Sequence, residues 1–341
     1  MKRHVLTTAL IALFTSTAML LSGCVSGEGQ KTEGGGQSGD TLKGQVLNID
    51  FATYNPLSLV IKNQHWLEDQ GVTVNWVQSA GSNKANEALR AGAIDIGSTA
   101  GSAALLARSN GSPIKVIGIY SQPEWAALVA PKGSAITSVA QLRGKNVAAT
   151  KGTDPYFFLL QALEANGLTA NDVTVQNLQH ADGWAALQNG SVDAWAGLDP
   201  IMAKAEQTGA TLFYRNVDFN SFGFLDARED FLKNKPGLAQ LVVDAYAAAA
   251  KWAAANPDQT AKILADVAGL DPAVAQKVIR ERSHLDVNQV PGPKQIAVLE
   301  KIGPIFVQNG DVSNQQQIDH ALESIVDDGF AKQANPARFA S

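Results

Sequence analysis

An eleven-residue pattern occurs twice in this chain, 98 positions apart, and it restricts the fold more than any other feature. Ala88-Leu89-Arg90-Ala91-Gly92-Ala93-Ile94-Asp95-Ile96-Gly97-Ser98 returns as Ala186-Leu187-Gln188-Asn189-Gly190-Ser191-Val192-Asp193-Ala194-Trp195-Ala196, both of the form A-L-x-x-G-x-[IV]-D-x-x-[SA]. Physically, this is a helix closing on a glycine that takes the left-handed conformation at little cost. A short buried strand follows, entered by a β-branched residue and an Asp. The echo extends upstream, where Phe51-Ala52-Thr53-Tyr54-Asn55-Pro56 is answered by Ala148-Ala149-Thr150-Lys151-Gly152-Thr153-Asp154-Pro155. Two copies of one strand–turn–helix–strand–helix–strand plan predict two α/β lobes, built alike and facing each other.

The N-terminus carries a different message. Met1-Lys2-Arg3 precedes an uncharged, largely apolar run over 5–21, then Leu21-Ser22-Gly23-Cys24. A basic head, a short apolar core and small residues before a Cys read as a secretory signal over residues 1–23. The run is shorter than the roughly 20 residues a spanning helix needs. Leu-Ser-Gly-Cys resembles a bacterial lipoprotein box, which implies that Cys24 is acylated and anchors the mature chain to a membrane, facing the periplasm or the cell exterior. Cys24 is also the only Cys, so no disulfide forms within one chain. Residues 25–44 hold seven Gly among polar neighbours. With Cys24 they read as a flexible tether, residues 24–44, with a reach of about 25 Å. The fold is expected to begin near Gln45.

About three hundred residues remain, enough for two lobes with real cores. Without Lys2 and Arg3 the 27 basic residues become 25 against 32 acidic ones, a net charge of −7. That balance argues against nucleic acid as a partner, and no basic run contradicts it. Strands are expected at 46–53, 72–77, 94–97 and 114–120, with helices at 56–67 and 79–92 and another opening at Thr99. Ser121-Gln122-Pro123 reads as the crossing into the second lobe, because Pro removes a ladder donor. The second lobe then has strands at 125–130, 145–150, 173–178, 192–195 and 211–214, and 222–226 is the expected return crossing. Lobe one is thus 45–121 plus 218–341, and lobe two is 122–217. From Arg228 onward the chain reads as helices, with Leu241, Val242, Ala245, Tyr246, Ala249 and Ala253 along one face. Ser313 with Gln316 has a capping-box pattern for the last helix.

Three strand-to-helix turns share one device, Asn55-Pro56, Asp154-Pro155 and Asp199-Pro200, in which the first residue caps orphan amides and the Pro presets the helical φ. Gly81-Ser82-Asn83 and Ser98-Thr99-Ala100-Gly101 open further helices with small, hydroxyl-bearing residues. In doubly wound sheets such turns gather at the carboxyl edges of the strands, where ligands bind, and bare helix amides suit an oxyanion. Tyr54, Trp125, Tyr156 and Trp184 lie at or near these edges and could line an apolar slot, with Trp125 the preferred wall beside the hinge. Asp154, Asp199 and Glu124 cut against a plain anion. Either they only cap, or one of them faces an amino group on a zwitterionic ligand.

Enzyme readings fare poorly. His4, His65, His180, His284 and His320 show no metal-ligand spacing, and no nucleophile-elbow, P-loop or dinucleotide fingerprint occurs. His180-Ala181-Asp182 is the only compact acid–base pair and reads as a helix-start cap with a surface His. No catalytic residue, metal or cofactor is expected.

The lipoprotein box, Ser79-Ala80-Gly81-Ser82-Asn83-Lys84, Gly92-Ala93-Ile94-Asp95-Ile96-Gly97, Ala149-Thr150-Lys151-Gly152-Thr153, and Gly190-Ser191-Val192-Asp193-Ala194-Trp195 with Asp199-Pro200 together resemble one family. It is the aliphatic-sulfonate, taurine and nitrate group of solute-binding proteins of ABC importers, and the match covers most of 46–282. The resemblance implies an α/β, two-lobe periplasmic binding protein type II fold, each lobe a mixed, mostly parallel sheet flanked by helices. It implies a monomer that closes on a small organic anion and docks a membrane permease. Carried over by position, the contacts are Tyr54, Asn55, Gly81, Ser82, Ser98, Thr99 and Ala100 from lobe one, and Gly152, Thr153, Asp154 and Asp199 from lobe two. The turn 52–56 lacks the paired Gly often found in the sulfonate branch. This leaves an alkanesulfonate, taurine or a sulfate ester open as the ligand, with nitrate or a thiamine-pyrimidine precursor as alternatives and a non-transport enzyme on the same fold as a rival.

Overall fold

The computed structural model describes residues 42–339. The expected signal, Cys24 and most of the expected tether lie outside them. The chain begins β1 (Val46–Phe51), α1 (Pro56–Asn63), α2 (Trp66–Asp69), β2 (Thr73–Gln78), α3 (Ser82–Arg90), β3 (Ile96–Ala100), α4 (Gly101–Ser109) and β4 (Ile114–Ser121). A second set follows with β5 (Ala126–Ala130), β6 (Asn146–Ala149), α5 (Asp154–Ala165), β7 (Thr174–Asn177), α6 (His180–Gln188), β8 (Ala194–Leu198), α7 (Ile201–Gln207) and β9 (Thr211–Tyr214). The chain then returns through β10 (Gly223–Arg228) into seven helices: α8 (Glu229–Asn234), α9 (Pro236–Ala255), α10 (Pro257–Ala268), α11 (Pro272–Lys277), α12 (Pro293–Gln308), α13 (Gln315–Ser324) and α14 (Gly329–Lys332).

Two five-stranded sheets result, ordered β2-β1-β3-β10-β4 and β7-β6-β8-β5-β9. In each, four strands run the same way, as αβ crossovers require of the first three, and one, β10 in the first sheet and β5 in the second, runs against its two neighbours. Residues 222–226 are therefore not a loop between lobes. They form most of β10, which lies between β3 and β4 with Phe224 and Leu225 fully buried. An apolar run of this kind satisfies its amides only inside a sheet, so the crossing itself falls earlier, around the 3₁₀ turn Val217–Phe219.

Both copies of the repeated motif fold in the same way. Gly92 and Gly190 follow α3 and α6 with φ of 69° and 77°. Asp95 receives Asn48 N on Oδ2 at 2.9 Å and returns its own N–H to Asn48 O at 2.7 Å. Asp193 does the same with Asn146, at 2.9 and 2.8 Å. The following strands start at Ile96 and Ala194, two residues later than the sequence predicts, because Ile94 N and Val192 N still point back to the helix carbonyls of Ala88 and Ala186. The last cap also moves by one residue. Asn314, not Ser313, caps α13 by accepting Gln317 N.

Candidate functional site

The loops at the carboxyl edges of the two sheets meet. Asp154, the first residue of α5 in the second lobe, reaches across to Ser102 Oγ in α4 of the first lobe at 2.6 Å. Its carboxylate also accepts Ser221 Oγ at 2.6 Å, Ser221 N at 2.8 Å and Trp125 Nε1 at 2.7 Å, all on or beside the crossings. Four donors around one carboxylate explain how it tolerates almost complete burial, although desolvation still pushes its pKa up. Asp154 therefore does not cap its own helix. Thr153 is the cap residue, and its hydroxyl donates instead to Thr150 O at 2.6 Å.

A second clasp lies nearby. Asp199 accepts Ala203 N at 2.9 Å and pairs at 3.2 Å with Arg282, which also bonds Glu206. Arg282 ends a π-helical turn (Val278–Arg282) and is 2 % exposed. Burial outweighs the guanidinium and lifts Asp199 to about 6. Tyr54 and Trp125 meet edge-to-face at 6.1 Å beside this pair. The space enclosed by Tyr54, Trp125, Asp199 and Arg282 is about 10 Å³, room for one water at most. The lobes are shut.

Within the first lobe, two more acids are fully buried. Asp50 on β1 accepts Ser98 N at 2.9 Å and Ser98 Oγ at 3.0 Å, and Asp226 on β10 accepts Thr99 Oγ1 at 2.6 Å. Both rise to about 7, chiefly from desolvation, and Asp50 adds repulsion on Asp226.

The structure thus brings the predicted residues to one place but spends most of their side chains internally. Tyr54 donates to Ser98 O, Asn55 caps Ser58 N and donates to the Tyr246 hydroxyl, and Ser82 Oγ receives Ala100 N. Glu124 is held by a two-pronged bond from Arg215 and donates its own N–H to Arg282 O at 2.9 Å, while Trp184 packs on Trp195. The first turns of α3 and α5, from opposite lobes, have no side-chain cap, and Gly152, at φ 75°, brings them together: an ideal Cβ on it lies 3.6 Å from Asn83 Cβ.

Sequence reasoning missed Ser102, Ser221, Arg282, Asp50 and Asp226, none of which sits in a recognisable motif. It also misplaced His180. The ring is not on the surface but 2 % exposed, with Nδ1 3.1 Å from Thr150 Oγ1, and burial depresses its pKa to about 3. Among the described residues, no group of three or more His, Cys, Asp or Glu is placed to hold a metal ion, and no helix is long and apolar enough to cross a membrane.

Two mixed sheets flanked by helices, joined by paired crossings and closing on each other, define the two-lobe periplasmic binding protein fold. The chain belongs to the NMT1/THI5-like family, whose signature matches residues 57–260. It is 27 % identical over 271 residues to the Escherichia coli (strain K12) protein named for binding aliphatic sulfonates, covering 78 % of this chain and 84 % of that one. It is 24 % identical over 281 residues to the taurine-binding periplasmic protein of the same organism, covering 76 % and 86 %. Among solved structures, the alkanesulfonate-binding protein SsuA of Xanthomonas axonopodis pv. citri bound to MOPS superposes with a TM-score of 0.74 at 25 % identity, over 82 % of this chain and 98 % of that one.

Proposed function

We propose that this protein is the substrate-binding component of an ABC importer, exported and lipid-anchored through Cys24, that closes its lobes on a small sulfonate-like anion: an alkanesulfonate, taurine or a sulfate ester. It works as a monomer, without catalysis or cofactor, and its closed form is what a membrane permease recognises. The lobes divide as 45–121 plus 218–341 and 122–217.

The observation that carries this reading is the meeting of two uncapped helix N-termini, α3 and α5, from opposite lobes. α3 leaves the amides of Ser82 and Asn83 without intrahelical partners, and α5 leaves that of Asp154, because Pro155 has none and Tyr156 N donates to Thr153 O at 3.1 Å. Each helix end offers an oxyanion about 0.3–1 kcal/mol, more when partly buried. Micromolar binding needs about 8 kcal/mol, so lobe closure around the rest of the ligand supplies the remainder. The relatives' names support a sulfonate in particular. The rival, a neutral or cationic heterocycle such as a thiamine-pyrimidine precursor, would have to displace one of the four donors that Asp154 already takes at the lobe contact.

A thermal-shift panel decides between them. Taurine, ethanesulfonate, a sulfate ester, nitrate and an aminopyrimidine are each added at a hundredfold excess over the dissociation constant, where linkage predicts about 2.7 kcal/mol of stabilisation. Sulfonates are expected to raise Tm. A response to the heterocycle alone would remove the sulfonate assignment.

A further inference from the structure

We infer that the start of α3 and His180 form a subsite for an amino group on the ligand, so that among sulfonates this cleft selects an aminosulfonate over a simple alkyl one. The inference rests on the reading that the interlobe cleft takes a sulfonate, and it assigns the other end of that ligand.

The residues that carry it are acceptors with nothing to accept. An ideal Cβ on Gly81 would lie 2.8 Å from Asn83 Oδ1 and 3.0 Å from His180 Nε2, so the two atoms, one from each lobe, converge beside a residue with no side chain. Both are buried, and neither has a hydrogen-bond partner among the described residues. Asn86 Oδ1, one turn further along α3, is buried and unpartnered as well. A groove of about 190 Å³ bounded by Asn83, Asn86 and Gly152 opens next to them.

The tautomer of His180 follows from its neighbours. Thr150 Oγ1 gives its hydrogen to Leu178 O at 2.7 Å, so at 3.1 Å from Nδ1 it can only accept. Nδ1 therefore carries the proton, and Nε2 presents a lone pair. Burial also disfavours protonating Nε2 to serve an oxyanion, because it pushes the ring down to about 3. Charged groups on the elements around it do not change this. Lys84 on α3 is engaged by Glu87 at 2.8 Å, Asp182 lies on the ring's own helix and Lys151 follows β6, and desolvation is the whole cause of the shift.

A sulfonate oxygen facing these lone pairs would be repelled, whereas an ammonium brings three donors. The charge of the cleft points the same way. Asp154 and Asp199 are buried there, and Arg282, the cation beside them, is shared between Asp199 and Glu206. The uncapped amides of α3 and α5 take the sulfonate, and His180 with Asn83 takes the amine.

Calorimetric titration of taurine against ethanesulfonate, which lacks only the amine, tests this. Wild-type protein should prefer taurine by about tenfold or more, the worth of a well-made hydrogen bond to a charged donor. His180→Phe keeps a slightly larger aromatic ring in place and removes the acceptor. It should hold ethanesulfonate affinity within about threefold and abolish the preference for taurine. Equal affinities in the wild type, or a preference that survives His180→Phe, overturn the inference while leaving the sulfonate reading intact. If His180→Phe shows no cooperative unfolding transition, Asn83→Ala serves instead and should lower the preference. A loss of both ligands alike in Asn83→Ala would mean that its amide merely donates to Nε2 as a clasp between lobes, and the inference falls. If neither sulfonate binds, the sulfonate reading falls first. Stabilisation of the wild type but not of His180→Phe by ethylamine or an aminopyrimidine then upholds the amine subsite, and its absence removes both.

Discussion

The two lobes are close copies in their turns and unlike in their acids. At the repeated motif even the bond lengths agree, with Asp95 clasping Asn48 as Asp193 clasps Asn146. Where the first lobe places Asp50 on β1, the matching strand β6 of the second offers Ala148 and Ala149. The first lobe keeps its buried acids inside its own sheet, bonded to Ser98 and Thr99. The second lobe sends its acids outward, Asp154 to Ser102 and Asp199 to Arg282. The repeat therefore specifies a scaffold, and the departures from it specify which surfaces hold the molecule shut.

The sharpest way to break this contrast is at Arg282. Arg282→Met leaves Asp199 buried without its cation and should cost about 3–5 kcal/mol in urea unfolding, most of it recovered by the Arg282→Met/Asp199→Asn double variant. A cost under about 1 kcal/mol would show that the lobes do not depend on this pair.

The first lobe's acids should dominate the pH response. Asp50 and Asp226 sit near 7 when folded against an ordinary value of 3.8, so between those limits the folded chain binds more protons than the unfolded one. Their contribution is fully present below about pH 4 and is lost as pH rises through 7. Asp226→Asn should therefore be more stable than wild type at pH 8 by roughly 2 kcal/mol or more, and the gap should shrink by pH 5 and close below about pH 4. Denaturant midpoints at the two pH values read this directly, and an unchanged gap would mean the carboxyl ionises freely.

Asp95→Ala and Asp193→Ala probe the shared scaffold. Each frees a strand amide, but the Asp95 side chain is 8 % exposed and the Asp193 side chain 36 %. The first should cost about 2 kcal/mol and the second about 1, since water can replace the more exposed bond. Equal costs would deny that burial grades the two copies.

Ser102→Ala removes one of four donors from Asp154, and a loss of about 1 kcal/mol is expected, with a shift in Trp125 emission identified by comparison with Trp125→Phe. The smallest effect should come from Gly152→Ala, where the φ of 75° costs a side-chain residue about 1 kcal/mol or less. Ligand affinity should fall further than stability does, because the added methyl meets Asn83 across the contact.

The two-sheet α/β fold and the turns at its strand ends were legible in the sequence, because each depends on local signals: a glycine at a helix end, an Asp at a strand start, a Pro at a first turn. The hydrogen-bond assignments were not. Asp154-Pro155 and Asn55-Pro56 look alike in sequence, yet Asn55 caps its helix and Asp154 crosses to the other lobe. The difference is made by Ser102 and Ser221, remote along the chain and unremarkable in type. Arg282 and His180 were hidden for the same reason, since burial of a single polar residue is a tertiary outcome that no spacing announces. Residues 222–226 were misread because a strand inserted from a distance carries no local partner in the sequence.

That inserted strand has a consequence for how the molecule is made. All five strands of the second sheet lie within residues 126–214, whereas the first sheet stays split between β3 and β4 until β10 arrives after residue 222. On the ribosome the middle of the polypeptide should therefore mature before its beginning, with residues 46–121 waiting, their central edges unpaired, for a segment roughly a hundred residues away. Arrested nascent chains in which residue 220 has just emerged from the ribosome should already protect the second sheet from proteolysis and leave the first one cleavable. Protection of both at that length would mean the early strands close up without their missing neighbour.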